Sequence, residues 1–341
     1  MTLLFITQKL HGQDAFGALW IDAFVRRGYD VHVICLEWRP EEMHKALGDR
    51  HLAPFTVHSL CKEQGRRRMG QVLTFWRLIS TLRYDRVFIH MSPVWGLLGA
   101  WRWMTGRPPV YLWYTHYKMQ AGLKLLGWYG KRLFCATPQS LPQYQGSERK
   151  VVVGHGIDLL YWPRRENRCE NPQKLLMVHR LSRSKRVELS LSALTQLPKD
   201  FTLDIYGIEA EAEYVTELRK IVKDLNLASR VTFHGTLPMQ QLADLYTRHR
   251  FILNMASETI DKTMLEAMTC GCYPVTTRAN ARAIGIPEAP AEDTHQAIAA
   301  FIQEHLQKIP LSPEEMYAVV REKHSLDALI EKMDRFIQPG I

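Results

Sequence analysis

The chain has 341 residues, 46% hydrophobic and 23% charged, which excludes a disordered or fibrous polymer and suits about two globular domains. Its formal charge of +9 is one-sided: residues 1–155 hold 21 Lys and Arg against 10 Asp and Glu, a balance of +11, while residues 156–341 hold 23 against 25. A basic first half points to an anionic partner such as a phospholipid surface, a lipid diphosphate or a nucleic acid.

TLLFIT, at the start, reads as a buried strand, QKLHGQDAFG as a glycine-containing loop, ALWIDAFVRRG as a helix closing at Gly28, and DVHVICL as the next strand. This β-loop-α-β order implies parallel strands. Further strands are expected at Arg86–His90, Val110–Trp113, Arg132–Cys135 and Lys150–Val153, with GQVLTFWRLISTLR and LLGAWRWMTG as helices between them. Residues 1–155 thus read as one doubly wound α/β domain. GHGIDLLYWPRRENRCENPQ, from Gly154 to Gln173, is polar and aperiodic, and predicts a linker over 156–172. The alternation restarts with KLLMV and runs on through FTLDIYG, RVTFHG, RFILNM and YPVTT, with helices around Val187–Gln196, Glu209–Asn226, Met239–His249 and Thr263–Cys270. That is a second α/β domain over 173–315. A helical tail follows over 316–341, free to pack back on the first domain. Two such domains in series predict a central cleft, with ligands beyond the carboxyl ends of the strands.

Within MVHRLSRSKRVELSLSAL, Arg180 and Lys185 follow a strand end and precede a helix. A planar guanidinium and a compact ammonium there, near helix N–H groups, make an anion site, although a solvated basic loop with Arg183 and Arg186 accounts for the same letters. In NMASETIDKTMLEAMTCGCYPVTT, Glu258 sits in a strand-end loop, Asp261 is placed to cap a helix, and Glu266 lies near that helix's first turn. Carboxylates at such edges accept hydrogen bonds from sugar or ribose hydroxyls, and the N–H groups near Thr263 and Met264 would meet a phosphate. Gly12 and Gly17 allow close backbone approach to a phosphate, but their spacing is not that of a dinucleotide loop. His90 and His116 close strands at the cleft edge; His155 lies in the linker. Each is as readily structural. GRRRMGQVLTFWRLISTLRY and WGLLGAWRWMTGR mix Trp, Leu and Arg at helical spacing, which fits either helices dipping into lipid headgroups or core helices with basic outer faces.

The missing motifs narrow the field. There is no Asp-x-Asp, no metal-spaced ligand cluster, no G-x-S-x-G and no Walker A pattern. Six cysteines without framework spacing read as reduced thiols of a cytosolic protein. No run reaches the roughly 18 apolar residues of a spanning helix, and MTLLFIT lacks the basic n-region of a secretory signal.

Taken together, Arg180-Leu181, Lys185 and Val187, then Glu258, Glu266-Ala267-Met268, Gly271, Pro274 and Val275, resemble glycosyltransferase family 4. GHGID is similar to that family's NGID turn. The resemblance implies a GT-B fold, two Rossmann-like doubly wound domains facing a central cleft. It implies a retaining nucleotide-sugar transferase that needs no metal or other cofactor. Arg180 and Lys185 would hold the donor diphosphate, Glu258 the donor sugar's hydroxyls and Glu266 the ribose. Thr263 and Met264 would offer N–H groups, Gly12 and Gly17 would close over the phosphate, and His116 would face the transferred sugar. Two departures stand out: TIDKT replaces the usual glycine-aromatic loop, and His179 replaces the glycine before Arg180. The basic first half adds the expectation of a lipid-linked or membrane-associated glycan acceptor, on the cytoplasmic side of an anionic membrane, in polysaccharide assembly. The rivals are a nucleotide-sugar epimerase of the same fold, a phosphorylase-like enzyme lacking an identifiable cofactor lysine, and a basic nucleic-acid-binding protein. The last leaves Glu258 and Glu266 unexplained.

Overall fold

Strand β1 (Thr2–Leu10) divides its side chains between two cores: Leu3 and Phe5 enter one, Leu4 and Ile6 the other, all fully buried. An uninterrupted apolar run is what a parallel strand covered on both faces requires. The computed structural model describes residues 1–11, 16–48, 50–116, 119–257 and 260–338. The chain continues through α1 (Phe16–Arg26), β2 (Asp30–Trp38), α2 (Pro40–Leu47), β3 (Thr56–Ser59), α3 (Arg68–Thr81), β4 (Arg86–His90), α4 (Val94–Leu98), α5 (Ala100–Trp103), β5 (Val110–Trp113), α6 (Ala121–Tyr129), β6 (Arg132–Cys135) and β7 (Lys150–Val152). These strands form a seven-stranded sheet in the order β3-β2-β1-β4-β5-β6-β7, and every pairing is parallel.

The second series runs β8 (Lys174–Val178), α7 (Val187–Gln196), β9 (Thr202–Tyr206), α8 (Ala212–Asp224), β10 (Val231–Gly235), α9 (Met239–Thr247), β11 (Phe251–Asn254), α10 (Lys262–Thr269), β12 (Tyr273–Thr276), α11 (Arg278–Ile284), α12 (His295–Glu304) and α13 (Pro313–Val319). Its five strands, again all parallel, lie in the order β10-β9-β8-β11-β12. The strand order reverses between β8 and β11. That makes the carboxyl ends of these two strands the switch point where a sheet of this kind takes its ligand.

The chain forms two compact units, Met1–Gly156 with Leu326–Ile341, and Ile157–Ser325. The boundaries differ from those read in the sequence. Residues 157–172 are not a free linker but belong to the second unit. Arg165 N donates to Thr269 O at 3.0 Å, Arg168 N to Thr247 O at 2.7 Å, and Asn167 Nδ2 to Gly271 O at 2.9 Å. The segment has no regular apolar period; these hydrogen bonds hold it together with Ile157 and Trp162, buried in the second unit's core. The tail is also divided. After α13 a π-turn at Val320–His324 ends in extended Ser325 (φ −64, ψ 154). Helix α14 (Leu326–Ile337) then joins the first unit's core with Leu326, Leu329, Ile330, Met333 and Ile337. Tyr111 Oη donates to Phe336 O at 2.8 Å and Arg86 Nε to Ile337 O at 2.9 Å, fixing it there. Among the described residues no helix is long and apolar enough to cross a membrane.

Candidate functional site

Two loops meet at the switch point of the second unit. The first leaves β8 at His179, forms a single 3-10 turn at Arg183–Lys185 and enters α7. Its three arginines differ in what they do. Arg183 pairs with Glu217 and lies over the Tyr214 ring at 5.4 Å. Arg186, with φ +49, donates from Nε to Met255 O at 2.6 Å and pairs through Nη2 with Asp293 at 2.8 Å. Arg180 is exposed and makes no ion pair with a described residue. The loop therefore spends two of its three arginines on structure and leaves Arg180 exposed.

The second loop leaves β11 and enters α10. Asp261 occupies the N-cap position, yet its carboxylate caps nothing. Instead Lys185 Nζ donates to Asp261 Oδ1 at 2.6 Å, and Asn254 Nδ2 donates to Oδ2 at 2.6 Å. Burial alone would raise Asp261, but the Lys185 ammonium and the Asn254 amide hold it below the ordinary carboxylate value. Capping was expected because Asp favours that position; a cation brought in from the neighbouring loop outcompetes the helix's own N–H groups for the carboxylate.

Two buried polar atoms at these loops have no hydrogen-bond partner among the described residues. One is Thr263 Oγ1 in the first turn of α10, and the other is His179 Nε2 at the end of β8. The His179 ring is fixed through Nδ1, 3.0 Å from Arg180 O, and burial pushes its pKa down. A neutral ring with Nδ1–H bonded to that carbonyl presents Nε2 as an acceptor. Thr263 Oγ1 and His179 Nε2 are both polar atoms of the kind that water or a polar ligand satisfies. Gly207, the residue after β9, makes the approach possible: an added Cβ would lie 1.8 Å from His179 O.

Glu266 lies one turn into α10 and is 3% exposed. Burial pushes its carboxyl up to about 7, opposed by Lys262 and reinforced by Asp261. Lys262 is lowered by burial. A buried carboxyl in this range sits where a hydroxyl hydrogen bond is worth most.

The remaining expected residues divide. Met264 is fully buried, and its N–H already donates to Asp261 O at 3.1 Å, so it packs the core and leaves Thr263 at the open end of the helix. Gly17 is not in a loop but inside α1, where its missing Cβ makes room for Leu10 Cδ2, 3.1 Å from that position. His116 is exposed beyond β5, its ring edge-on to Tyr114 at 5.4 Å. His90 stacks on Phe5 at 5.9 Å and meets Trp20 at 5.0 Å. His155 is buried. Gly12 and Glu258 lie outside the described residues. Sequence reading missed the roles of Asp261, Asn254 and His179; only the TIDKT and His179 departures hinted at them. A cavity of about 760 Å³ among Arg86, Arg107, Lys131, Arg132 and Phe336 opens at the amino ends of β4, β5 and β6, the edge away from where such sheets bind ligands.

Comparison with known proteins bears on the family and the fold. The family model described as "Glycosyltransferase Family 4" matches residues 18–159, and "Glycosyl transferases group 1" matches residues 162–284. No curated protein matches the sequence. Among solved structures, Anabaena HepE in complex with UDP and glucose superposes with a TM-score of 0.75 at 18% identity, covering 98% of each chain. Sucrose-phosphate synthase from Thermosynechococcus elongatus gives 0.75 at 16% identity, also over 98% of each chain. The lipopolysaccharide outer core galactosyltransferase WaaB gives 0.69 at 16% identity over 99% of each. The matched family models and the two parallel-sheet units lead to one assignment: the chain belongs to glycosyltransferase family 4 and is a glycosyltransferase of GT-B fold.

Proposed function

We propose that the enzyme moves a sugar, with retention of configuration and without a metal, from a nucleotide-diphosphate sugar to a lipid-linked or membrane-associated glycan, in polysaccharide assembly at the cytoplasmic face of a membrane. The observation that carries the donor half is the convergence of Arg180, Lys185 and the start of α10 at the β8–β11 switch point. In the transfer, the bond between the anomeric carbon and the diphosphate oxygen breaks, and its electron pair stays on the diphosphate. The acceptor oxygen bonds the anomeric carbon on the same face and passes its proton to the leaving oxygen. Negative charge grows on the diphosphate, where Arg180, Lys185 and the Thr263 N–H stand. Fixed donors of this kind are each worth about 10²–10³ in rate. Glu266 accepts from the ribose, Glu258 from the donor sugar, and His116 faces the transferred group. HepE, similar in fold, was solved with UDP and glucose, and WaaB acts on lipopolysaccharide outer core; both support the substrate classes chosen.

A thermal-shift panel of UDP-, GDP- and ADP-sugars in EDTA tests the donor and the metal together. A ligand at 100 times its Kd stabilises by about 2.7 kcal/mol, a rise of several degrees. Stabilisation by no member, or only after a divalent cation is restored, overturns the corresponding part. NMR of the product's anomeric proton tests retention. Epimerised donor without acceptor would move the assignment to the epimerase.

A further inference from the structure

Between Glu63 and Glu148 the chain carries twelve Lys and Arg and a single acid, Asp85. Helices α3 to α6 all fall in that stretch, and two of their surfaces are apolar on the outside as well as the inside. α3 buries Phe75 and Ile79 in the core. Its other side exposes Met69, Leu73 and Trp76, at 70%, 55% and 39%. These recur at i, i+4 and i+7, one stripe along the helix. α4 and α5 bury Trp95 and Trp103, and expose Leu97 at 43% and Trp101 at 58%. The two exposed surfaces join. Trp76 Nε1 donates to Leu98 O at 2.9 Å, and Trp76, Arg77, Ser80 and Trp101 line one groove of about 450 Å³. Isolated exposed apolar side chains are ordinary; a continuous Met, Leu and Trp surface over adjoining helices is not. Arg66, Arg67 and Arg68 at the start of α3, with Arg77 and Arg102, are all exposed.

We propose that this face of the first unit docks on an anionic lipid bilayer, with Leu73, Trp76 and Trp101 entering the headgroup region and the arginines meeting lipid phosphates. Trp and Leu on a helix flanked by arginine is the composition that lies in a membrane interface. A second copy of the chain is a poor occupant, because a two-fold contact would set the same arginines against each other. A nucleic acid would engage the arginines but leave the apolar stripe in water. The proposal deepens the membrane-associated acceptor reading and rests on it for its purpose, though the docking itself is independent of the donor.

The test floats the full chain with phosphatidylcholine vesicles, with and without phosphatidylglycerol. The wild type is expected to float only with the anionic vesicles, less as salt rises, with a blue shift of tryptophan emission. Leu73→Ser/Trp101→Ser and Arg67→Glu/Arg68→Glu are each expected to weaken binding by about ten-fold or more, while their thermal shift with the nucleotide sugar stays that of the wild type. A chain that stays unbound on anionic vesicles at low salt, or variants that float like the wild type, overturns the proposal. A dimer lost on Trp101→Ser, without vesicle binding, assigns the face to self-association instead. Normal flotation with no nucleotide-sugar shift removes the donor reading and leaves the docking face standing.

Discussion

Lys185 Nζ lies 2.6 Å from Asp261 Oδ1, which ties the loop after β8 to the start of α10. A diphosphate bound there as proposed would meet one cation already neutralised, and would share or displace the aspartate. Asp261→Asn removes the competing charge. Affinity for UDP or GDP, by isothermal titration, is expected to rise several-fold. The melting temperature of the unliganded protein is expected to fall, because Lys185, 7% exposed, loses its charged partner; Asp261 is 22% exposed, so the cost stays below the roughly 3–5 kcal/mol of breaking a fully buried pair. An unchanged affinity would show that Asp261 does not compete with the diphosphate, and a lower one that it assists binding.

Arg180 separates function from stability. It is exposed and makes no ion pair with a described residue, so Arg180→Ala is expected to leave the unfolding free energy from urea melts within about 0.5 kcal/mol of wild type. Transfer is expected to drop by about 10²–10³. A variant that transfers normally would place the diphosphate elsewhere.

Glu266 links the site to pH. Its folded value, about 7, stands above the ordinary 4.5, so between these limits the native state keeps a proton that the unfolded state has released. Its contribution to stability is therefore complete below pH 4.5 and is lost as pH rises through 7. Glu266→Gln removes that slope. Relative to wild type, its denaturation midpoint is expected to improve between pH 5 and pH 8; a constant difference would place the carboxyl in a solvated setting.

Asp204 has the opposite sign. His249 and His234 hold it down to about 2, from 3.8. Only His234, at 2.7 Å, is within hydrogen-bond reach, since His249 Nε2 is 3.8 Å away. The depressed carboxyl stabilises the fold above pH 3.8 and ceases to as pH falls through 2. Asp204→Asn is expected to cost about 1 kcal/mol at pH 7, once solvent screening is allowed for, and nothing at the acid end, read from urea melts at both. An equal loss at both ends would make the effect one of packing.

Gly207→Ala tests the support beneath Arg180. At φ +150 the added Cβ would sit 1.8 Å from His179 O and 3.6 Å from Arg180 N. The backbone must move, at about 1–3 kcal/mol. Nucleotide-diphosphate affinity is expected to fall with it, because His179 and Arg180 move together. Retained affinity in a destabilised variant would separate the two.

The strands of both units were readable because a doubly covered parallel strand writes itself as a contiguous apolar run: KLLMV is β8 residue for residue. β3, only Thr56–Ser59 and half exposed, carries no such run. Helices α11 and α12 were missed as well. Both start at a threonine that accepts from a backbone N–H, Thr277 from Asn280 and Thr294 from Ala297, a capping signal that is present in the letters. The expected single helix LLGAWRWMTG is broken at Gly99 into α4 and α5.

Residue types near a strand end are a local property, so Arg180, Lys185 and Glu266 could be singled out from the chain alone. Which arginine makes no ion pair with a described residue, and which acid holds the lysine, could not. Lys185 and Asp261 are 76 residues apart, and they meet because the sheet sets β8 beside β11. Periodicity reports which faces are buried; electrostatic pairing depends on distances across strands that the chain order does not contain.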